Sequence, residues 1–172
     1  MRETDERRYT EYVTGALPSL RRLAHLLCKD PHRADDVVQN TITRLYVHWQ
    51  RAQAADDIDR YVRAMLVRVF LREQRLAWAR VRLTGDAPEP ARHVESPGTD
   101  VETRAVLHTA LTRVPPRQRA VLVLRFLCDM PVSEVAATLG CSEGTVKSQT
   151  SQGLGRLRAL LDPQMFETLG RR

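Results

Sequence analysis

Residues 131–161 read PVSEVAATLGCSEGTVKSQTSQGLGRLRALL, and the spacing of apolar and helix-breaking residues there decides the architecture. Val135, Ala136 and Leu139 fall at the three- and four-residue steps of one helical face, with Ser133 in position to cap a short helix. Gly140 stands where a helix C-terminus takes the left-handed conformation, and Ser142 can cap a second helix just beyond it. Helix, tight glycine turn, helix is the layout of a helix-turn-helix.

Projected at about 100° per residue, the second helix separates two faces. Val146, Thr150, Gly153, Leu157 and Leu161 cluster on one side, with Leu154 and Leu160 at its edges. Gly144, Ser148, Ser151 and Gln152 lie roughly opposite, with Thr145 and Lys147 at the margins. An idle solvated face would carry long Glu and Lys side chains, which favour the helix. Short hydrogen-bonding groups weaken the helix but let it enter a DNA major groove unobstructed. The candidate DNA-reading set is therefore Ser142, Thr145, Lys147, Ser148, Ser151 and Gln152. Lys147 suits phosphate or guanine, Gln152 suits adenine, and Ser148 suits a base edge or a phosphate. Gly153, on the packed side, implies a close approach to the preceding helix.

The helical period continues outward from this motif. Leu17, Leu20, Leu23, Ala24 and Leu27 form one stripe, and Asp30-Pro31 offers an N-cap followed by Pro at the first helical position. Ala34, Val37, Val38, Thr41, Ile42, Leu45 and Trp49 form a second stripe, closed by the polar run QRAQAADD. A third, from Ile58 to Leu76, predicts a helix from near Asp57 to about Arg80. Residues 101–114 predict another, and Pro115-Pro116 opens one running through Val121, Leu122, Leu124 and Leu127. Strand alternation is absent. Residues 84–100, TGDAPEPARHVESPGTD, hold three prolines and two glycines and read as a linker. The expected organisation is all-α: a three- or four-helix bundle over 1–83, a flexible acidic linker over 84–100, and a helix-turn-helix domain over 101–172. Met165, Phe166 and Leu169 suggest a short capping turn at the end.

The 172 residues carry 27 Lys+Arg against 21 Asp+Glu, for a net charge of +6. Residues 1–83 and 103–172 each hold a net +5, and residues 84–102 hold −4. Two basic segments around an acidic one point to an anionic partner such as nucleic acid. No apolar run is long enough to span a bilayer, and MRETDERRYTEY lacks the apolar core of a signal peptide. A cytoplasmic protein without membrane insertion is expected. Cys28, Cys128 and Cys141 are widely spaced and read as small buried thiols. Neither a metal site nor a cofactor is expected.

The run VPPRQRAVLVLRFLCDMPVSEVAATLGCSEGTVKSQTSQGLGRLRALL resembles the C-terminal DNA-binding domain of bacterial extracytoplasmic-function sigma factors of the group 4, actinobacterial type. DDVVQNTITRLYVHW is similar to that family's core-polymerase-binding helix, and YVRAMLVRVFLREQR to its minus-10-reading helix. The resemblance implies a non-enzymatic subunit that directs core RNA polymerase to promoter DNA. It implies minus-35 recognition by the second helix of the motif, and polymerase docking by Asp35, Asp36, Gln39, Asn40, Leu45 and Trp49. Minus-10 contact is implied for Arg51, Tyr61, Arg63, Arg68, Arg72 and Arg75. Val38, Ile42, Leu45 and Trp49 have core packing as an alternative role, as do Trp49 and Tyr61 to base stacking. The acidic linker is similar to the family segment that threads the polymerase's RNA exit path, and an anti-sigma factor is a candidate partner. Two departures stand out: relatives often carry Asn near Arg68 and a basic residue at the position of Gln152.

Two rivals share part of this pattern. A polymerase-independent helix-turn-helix regulator would use the same C-terminal chemistry, with the first half dimerising or sensing a ligand. A recombinase or transposase would need a nucleophile with an arginine cluster, or an acidic metal triad. Asp35-Asp36 and Asp56-Asp57 read better as caps and docking groups than as metal ligands.

Overall fold

A computed structural model describes residues 3–84 and 99–161. The chain divides into two compact units, Met1–Ala87 and Pro88–Arg172. The described residues are helical without strands, and none of their helices is long and apolar enough to cross a membrane.

The first unit contains α1 (Glu3–Leu27), α2 (Pro31–Val47), the short α3 (Trp49–Gln53) and α4 (Ile58–Thr84). The expected stripes bury Leu20, Leu23, Ala24 and Leu27 of α1 against Ala34, Val37, Val38 and Leu45 of α2 and Val62, Leu66, Val69 and Phe70 of α4. Asp30 is the N-cap of α2, its carboxylate accepting from the His32 N–H at 2.9 Å with Pro31 at the first helical position. The polar run after Leu45 contains α3, whose Trp49 and Ala52 are buried. α1 begins at Glu3 and passes through Pro18. A proline inside a helix costs roughly 3 kcal/mol, but here it is exposed, so the carbonyl it leaves unpaired on the previous turn can meet water. α4 outruns the expected Arg80 and ends at Thr84.

The second unit contains α5 (Thr99–Arg113), α6 (Pro116–Leu122), a π-helical turn (Val123–Leu127), α7 (Val132–Leu139) and α8 (Glu143–Leu160). Residues 85–98 of the expected linker lie outside the described residues, while Thr84 and Thr99 at its two ends are helical. The expected turn at Met165, Phe166 and Leu169 also lies outside them. The core gathers Leu111, Val114, Val121, Leu122, Leu124, Val135, Val146 and Leu157.

Three features depart from the sequence reading. The helix opened by Pro115-Pro116 does not stay α-helical to Leu127. It widens at Val123, with the Cys128 N–H bonding to the Val123 carbonyl at 3.1 Å and the Met130 N–H to the Leu124 carbonyl at 3.0 Å. The wider turn rotates Phe126 and Leu127 outward, to 52 % and 50 % exposure, so Leu127 is not a core residue. Arg119, the second, is 1 % exposed and its Nη2 donates to the carbonyls of Thr112 and Val114, each at 2.9 Å. Those carbonyls belong to the end of α5, where a helix leaves acceptors unmatched and a cation is favoured by the helix dipole. Third, Cys141 is half-buried, whereas Cys28 and Cys128 are buried as expected.

Gly153 marks the tightest approach in this unit. A Cβ there would meet Leu122 Cδ1 at 3.0 Å and Cγ at 3.2 Å, whereas one at Gly155 would meet nothing within 4 Å. The close partner is α6, not the immediately preceding α7. Ala is favoured over Gly in a helix by roughly 1 kcal/mol, but overpacking costs about 1–3 kcal/mol. Gly155→Ala should raise the thermal midpoint of the chain, and Gly153→Ala should leave it unchanged or lower it, as followed by circular dichroism.

Candidate nucleic-acid interface

The helix-turn-helix is built largely from the expected punctuation. Gly140 closes α7 at φ 62° and ψ 46°, the left-handed region that glycine enters without a Cβ penalty. Ser142 caps α8, its Oγ accepting from the Thr145 N–H at 3.1 Å and sharing a 2.9 Å hydrogen bond with Thr145 Oγ1. Ser133 does not cap α7. The N-cap is Pro131, without a side-chain bond, and Ser133 lies inside the first turn. Pro131 takes the extended backbone of an N-cap, so the helix starts at Val132, one residue before the serine.

Along α8, Val146, Gly153 and Leu157 are buried, with Thr150 and Leu154 half-buried. Ser142, Lys147, Ser148, Ser151 and Gln152 are exposed and Thr145 is half-buried. One helix thus presents the expected short polar side chains together. The side chains are also wired to α6: Gln118 Nε2 donates to Gln152 Oε1 at 2.9 Å, Arg156 Nη1 donates to Gln118 Oε1 at 3.1 Å, and Gln152 Nε2 donates to Ser148 Oγ at 3.3 Å. This bears on the expected adenine reading by Gln152, because bidentate pairing with adenine uses the amide oxygen and nitrogen together, and here the oxygen faces Gln118.

In the first unit, α4 carries a second basic surface. Tyr61, Arg68, Arg72 and Arg75 share one face by helical spacing, and the three arginines are exposed. Arg63 lies about 160° round the helix from Tyr61 and is half-buried near the Tyr12 hydroxyl, so it does not join that row. Arg51 is exposed on α3.

The candidate docking face on α2 is narrower than expected. Asp35, Asp36, Gln39 and Asn40 are exposed. Asn40 Nδ2 donates to Glu73 Oε1 at 2.7 Å, and Asp35 lies 3.9 Å from Arg21 Nε, an exposed pair worth little. Leu45 and Trp49 are 0 % and 2 % exposed. They are core residues, and no partner reaches them without opening the bundle.

Trp49 is packed by a cluster that sequence patterning missed. The Tyr9 and Tyr12 ring centroids lie 5.4 Å and 5.8 Å from the Trp49 ring, and Tyr9 lies 5.2 Å from Tyr46. The Tyr9 hydroxyl donates to the Ile42 carbonyl and the Tyr12 hydroxyl to Asp59 Oδ1, each at 2.8 Å. Burial first, then the bond to the Asp59 carboxylate, push the Tyr12 hydroxyl well above the usual tyrosine range. The i, i+3 spacing of Tyr9 and Tyr12 was the available signal.

Two family models match this chain: Sigma-70, region 4, over residues 104–157, and the Sigma2 domain of PhyR over residues 13–58. The RNA polymerase sigma-E factor of Streptomyces coelicolor is 35% identical over 154 residues, covering 87% of this chain and 84% of the relative. The ECF RNA polymerase sigma factor EcfG of Rhodopseudomonas palustris is 30% identical over 161 residues, covering 92% and 87%. Among solved structures, the sigma factor RpoE of Bartonella quintana, determined with the anti-sigma factor NepR, matches with a TM-score of 0.75 at 21% identity, covering 89% of this chain and 96% of that one. CnrH, determined with the cytosolic domain of CnrY, matches with a TM-score of 0.59 at 25% identity, covering 91% and 89%.

The cap beneath α8 is separable from any partner. Replacing Ser142 by Ala should cost about 1 kcal/mol, seen as a lower denaturant midpoint, with hydrogen exchange speeding first at the amides of residues 143–145.

Proposed function

The chain belongs to the extracytoplasmic-function sigma factors of RNA polymerase, and from that footing we propose how its parts divide the work of directing core polymerase to promoters. Residues 1–83 form the part that docks on core polymerase and holds the melted minus-10 element. Residues 84–100 are a tether, and residues 101–172 read the minus-35 element.

The observation that carries the minus-35 assignment is the α8 surface: a capped helix whose N-terminal half exposes Lys147, Ser148, Ser151 and Gln152 together, with no bulky apolar side chain among them. Such a helix approaches base edges closely, while its N-terminal amides favour a phosphate. Ser142, Thr145, Lys147, Ser148, Ser151 and Gln152 are the proposed contacts. On α4, Arg68, Arg72 and Arg75 hold phosphates of the opened strand, with Arg51 nearby in sequence on α3 and Tyr61 at the head of the row. Asp35, Asp36 and Gln39 form the docking face on α2, and Asn40 joins it once its bond to Glu73 is exchanged for one to the partner.

The protein supplies no bond-making chemistry of its own and works in the cytoplasm, where polymerase and promoter are found. Regulation by an anti-sigma factor is proposed from the two structural relatives, which were solved as complexes with NepR and with the cytosolic domain of CnrY. The rival reading, a regulator that binds its operator without polymerase, shares α7 and α8. The family match over residues 13–58 weighs against it.

Transcription in vitro tests the assignment. Core polymerase should initiate at specific promoters only when this protein is added. Tight duplex binding by the free chain without such initiation would overturn the reading. Lys147→Ala should lower minus-35-dependent initiation several-fold and, if it contacts phosphate, reduce the salt slope of holoenzyme binding by about one. Gln39→Ala should weaken binding to core polymerase while leaving promoter sequence preference unchanged.

A further inference from the structure

The hydrogen bonds joining α6 to α8 have a fixed direction. Arg156 Nη1 donates to Gln118 Oε1 at 3.1 Å. A guanidinium has only donors, so the Gln118 amide must turn its oxygen toward Arg156 and its nitrogen toward Gln152. That nitrogen requires an acceptor, and Gln152 Oε1 supplies it at 2.9 Å. Gln152 is left with its NH2 group, one hydrogen of which goes to Ser148 Oγ at 3.3 Å. Ser148 accepts that bond and keeps its own hydroxyl hydrogen to donate.

The chain therefore runs one way, from Arg156 through Gln118 and Gln152 to Ser148, and its polarity is set by the member that cannot be reversed. Gln118 is 5 % exposed, so its amide has little water to turn toward, and leaving a buried amide group unpaired is costly. Gln152 and Ser148 are both exposed on the side of α8 that carries the proposed base contacts. With its oxygen turned toward Gln118, Gln152 keeps its second N–H to donate, and the Ser148 hydroxyl keeps its hydrogen beside one further lone pair.

We propose that Gln118 is a positioning residue that holds Gln152 donor-side outward, so that α8 selects a base edge offering acceptors at the position Gln152 meets. This rests on the reading that α8 enters the minus-35 major groove. In that groove guanine presents two acceptors, O6 and N7, and thymine presents O4, whereas cytosine presents only its N4 donor and adenine sets an N6 donor beside its N7 acceptor. A free glutamine could serve either class by rotating its amide. The contact from Gln118 removes that choice, and Arg156 keeps Gln118 from reversing.

The test is transcription by holoenzyme, reconstituted with the full chain, on a promoter library randomised across the minus-35 element. Wild type should favour guanine or thymine at one position. Gln118→Glu offers Arg156 and Gln152 only acceptor oxygens, so Gln152 must turn its NH2 inward and present its oxygen to the groove. The preference at that position should move toward cytosine or adenine by roughly tenfold, with other positions unaffected. Arg156→Met alters an exposed side chain and does not threaten folding. It should relax discrimination at the same position several-fold, because the amide chain is then free to reverse.

Gln152→Ala separates this inference from the reading beneath it. If it alters no minus-35 preference, residue 152 reads no base and the relay falls, while the reading of α8 stands or falls with Lys147→Ala. If it relaxes one position while Gln118→Glu and Arg156→Met keep the wild-type preference there, α8 still reads the element but the relay is overturned.

Discussion

The seam between α6 and α8 is the constraint on which the second unit depends. Gly153 has no side chain, and Leu122 occupies the space one would need, at 3.0 Å from an added Cβ. At that separation Gln118 reaches Gln152 with a 2.9 Å bond. One missing methyl group thus links packing to the proposed recognition. Apolar closeness brings the helices together, and the same closeness places a buried amide where it controls an exposed one. α5 is bound to the seam from the other side, because Arg119 on α6 satisfies the carbonyls of Thr112 and Val114. The glycine weakens α8 as an isolated helix, and tertiary contact offsets that loss.

The first unit has a comparable anchor in Trp49, packed against Tyr9 and Tyr12. These aromatics tie the start of α1 to α2 and α3 and, through the bond from Tyr12 to Asp59, to the start of α4. Their burial determines which residues remain for partners. Leu45 and Trp49 are absorbed by the core, so α2 faces outward with Asp35, Asp36, Gln39 and Asn40. At those apolar positions ordinary hydrophobic burial favours the core role, which leaves a polar face for the proposed docking.

Much of this was legible because local rules and tertiary structure agree. Asp30-Pro31, Gly140 and Ser142 each satisfy a backbone requirement that their own side chains or lack of them reveal. Helical spacing likewise marked Val146, Gly153 and Leu157 as the packed face of α8. The failures came where a distant partner sets the outcome. Ser133 looks like a cap, but chain direction at Pro131 starts the helix earlier. Leu127 continues an apolar stripe, but the π turn shifts its phase by widening the helix. Gln118 and Arg119 were silent for the same reason. Nothing local distinguishes a buried polar residue from a solvated one before its partners, 34 and 7 residues away, are known.

The reading helix is also poor in charge, and this bears on how the protein works. α8 carries three cations, Lys147, Arg156 and Arg158, and Arg156 already bonds to Gln118. Duplex affinity comes largely from neutralised phosphates, so this helix is better suited to discriminating among sequences than to holding DNA unaided. An autonomous repressor or activator must supply that holding energy itself, commonly by dimerising over two half-sites. A subunit delivered by polymerase need not, because tethered readers gain effective concentration once a common body fixes both. A small polar face backed by the proposed relay fits that division, in which polymerase would supply much of the affinity and the side chains of α8 would decide which base edge is accepted.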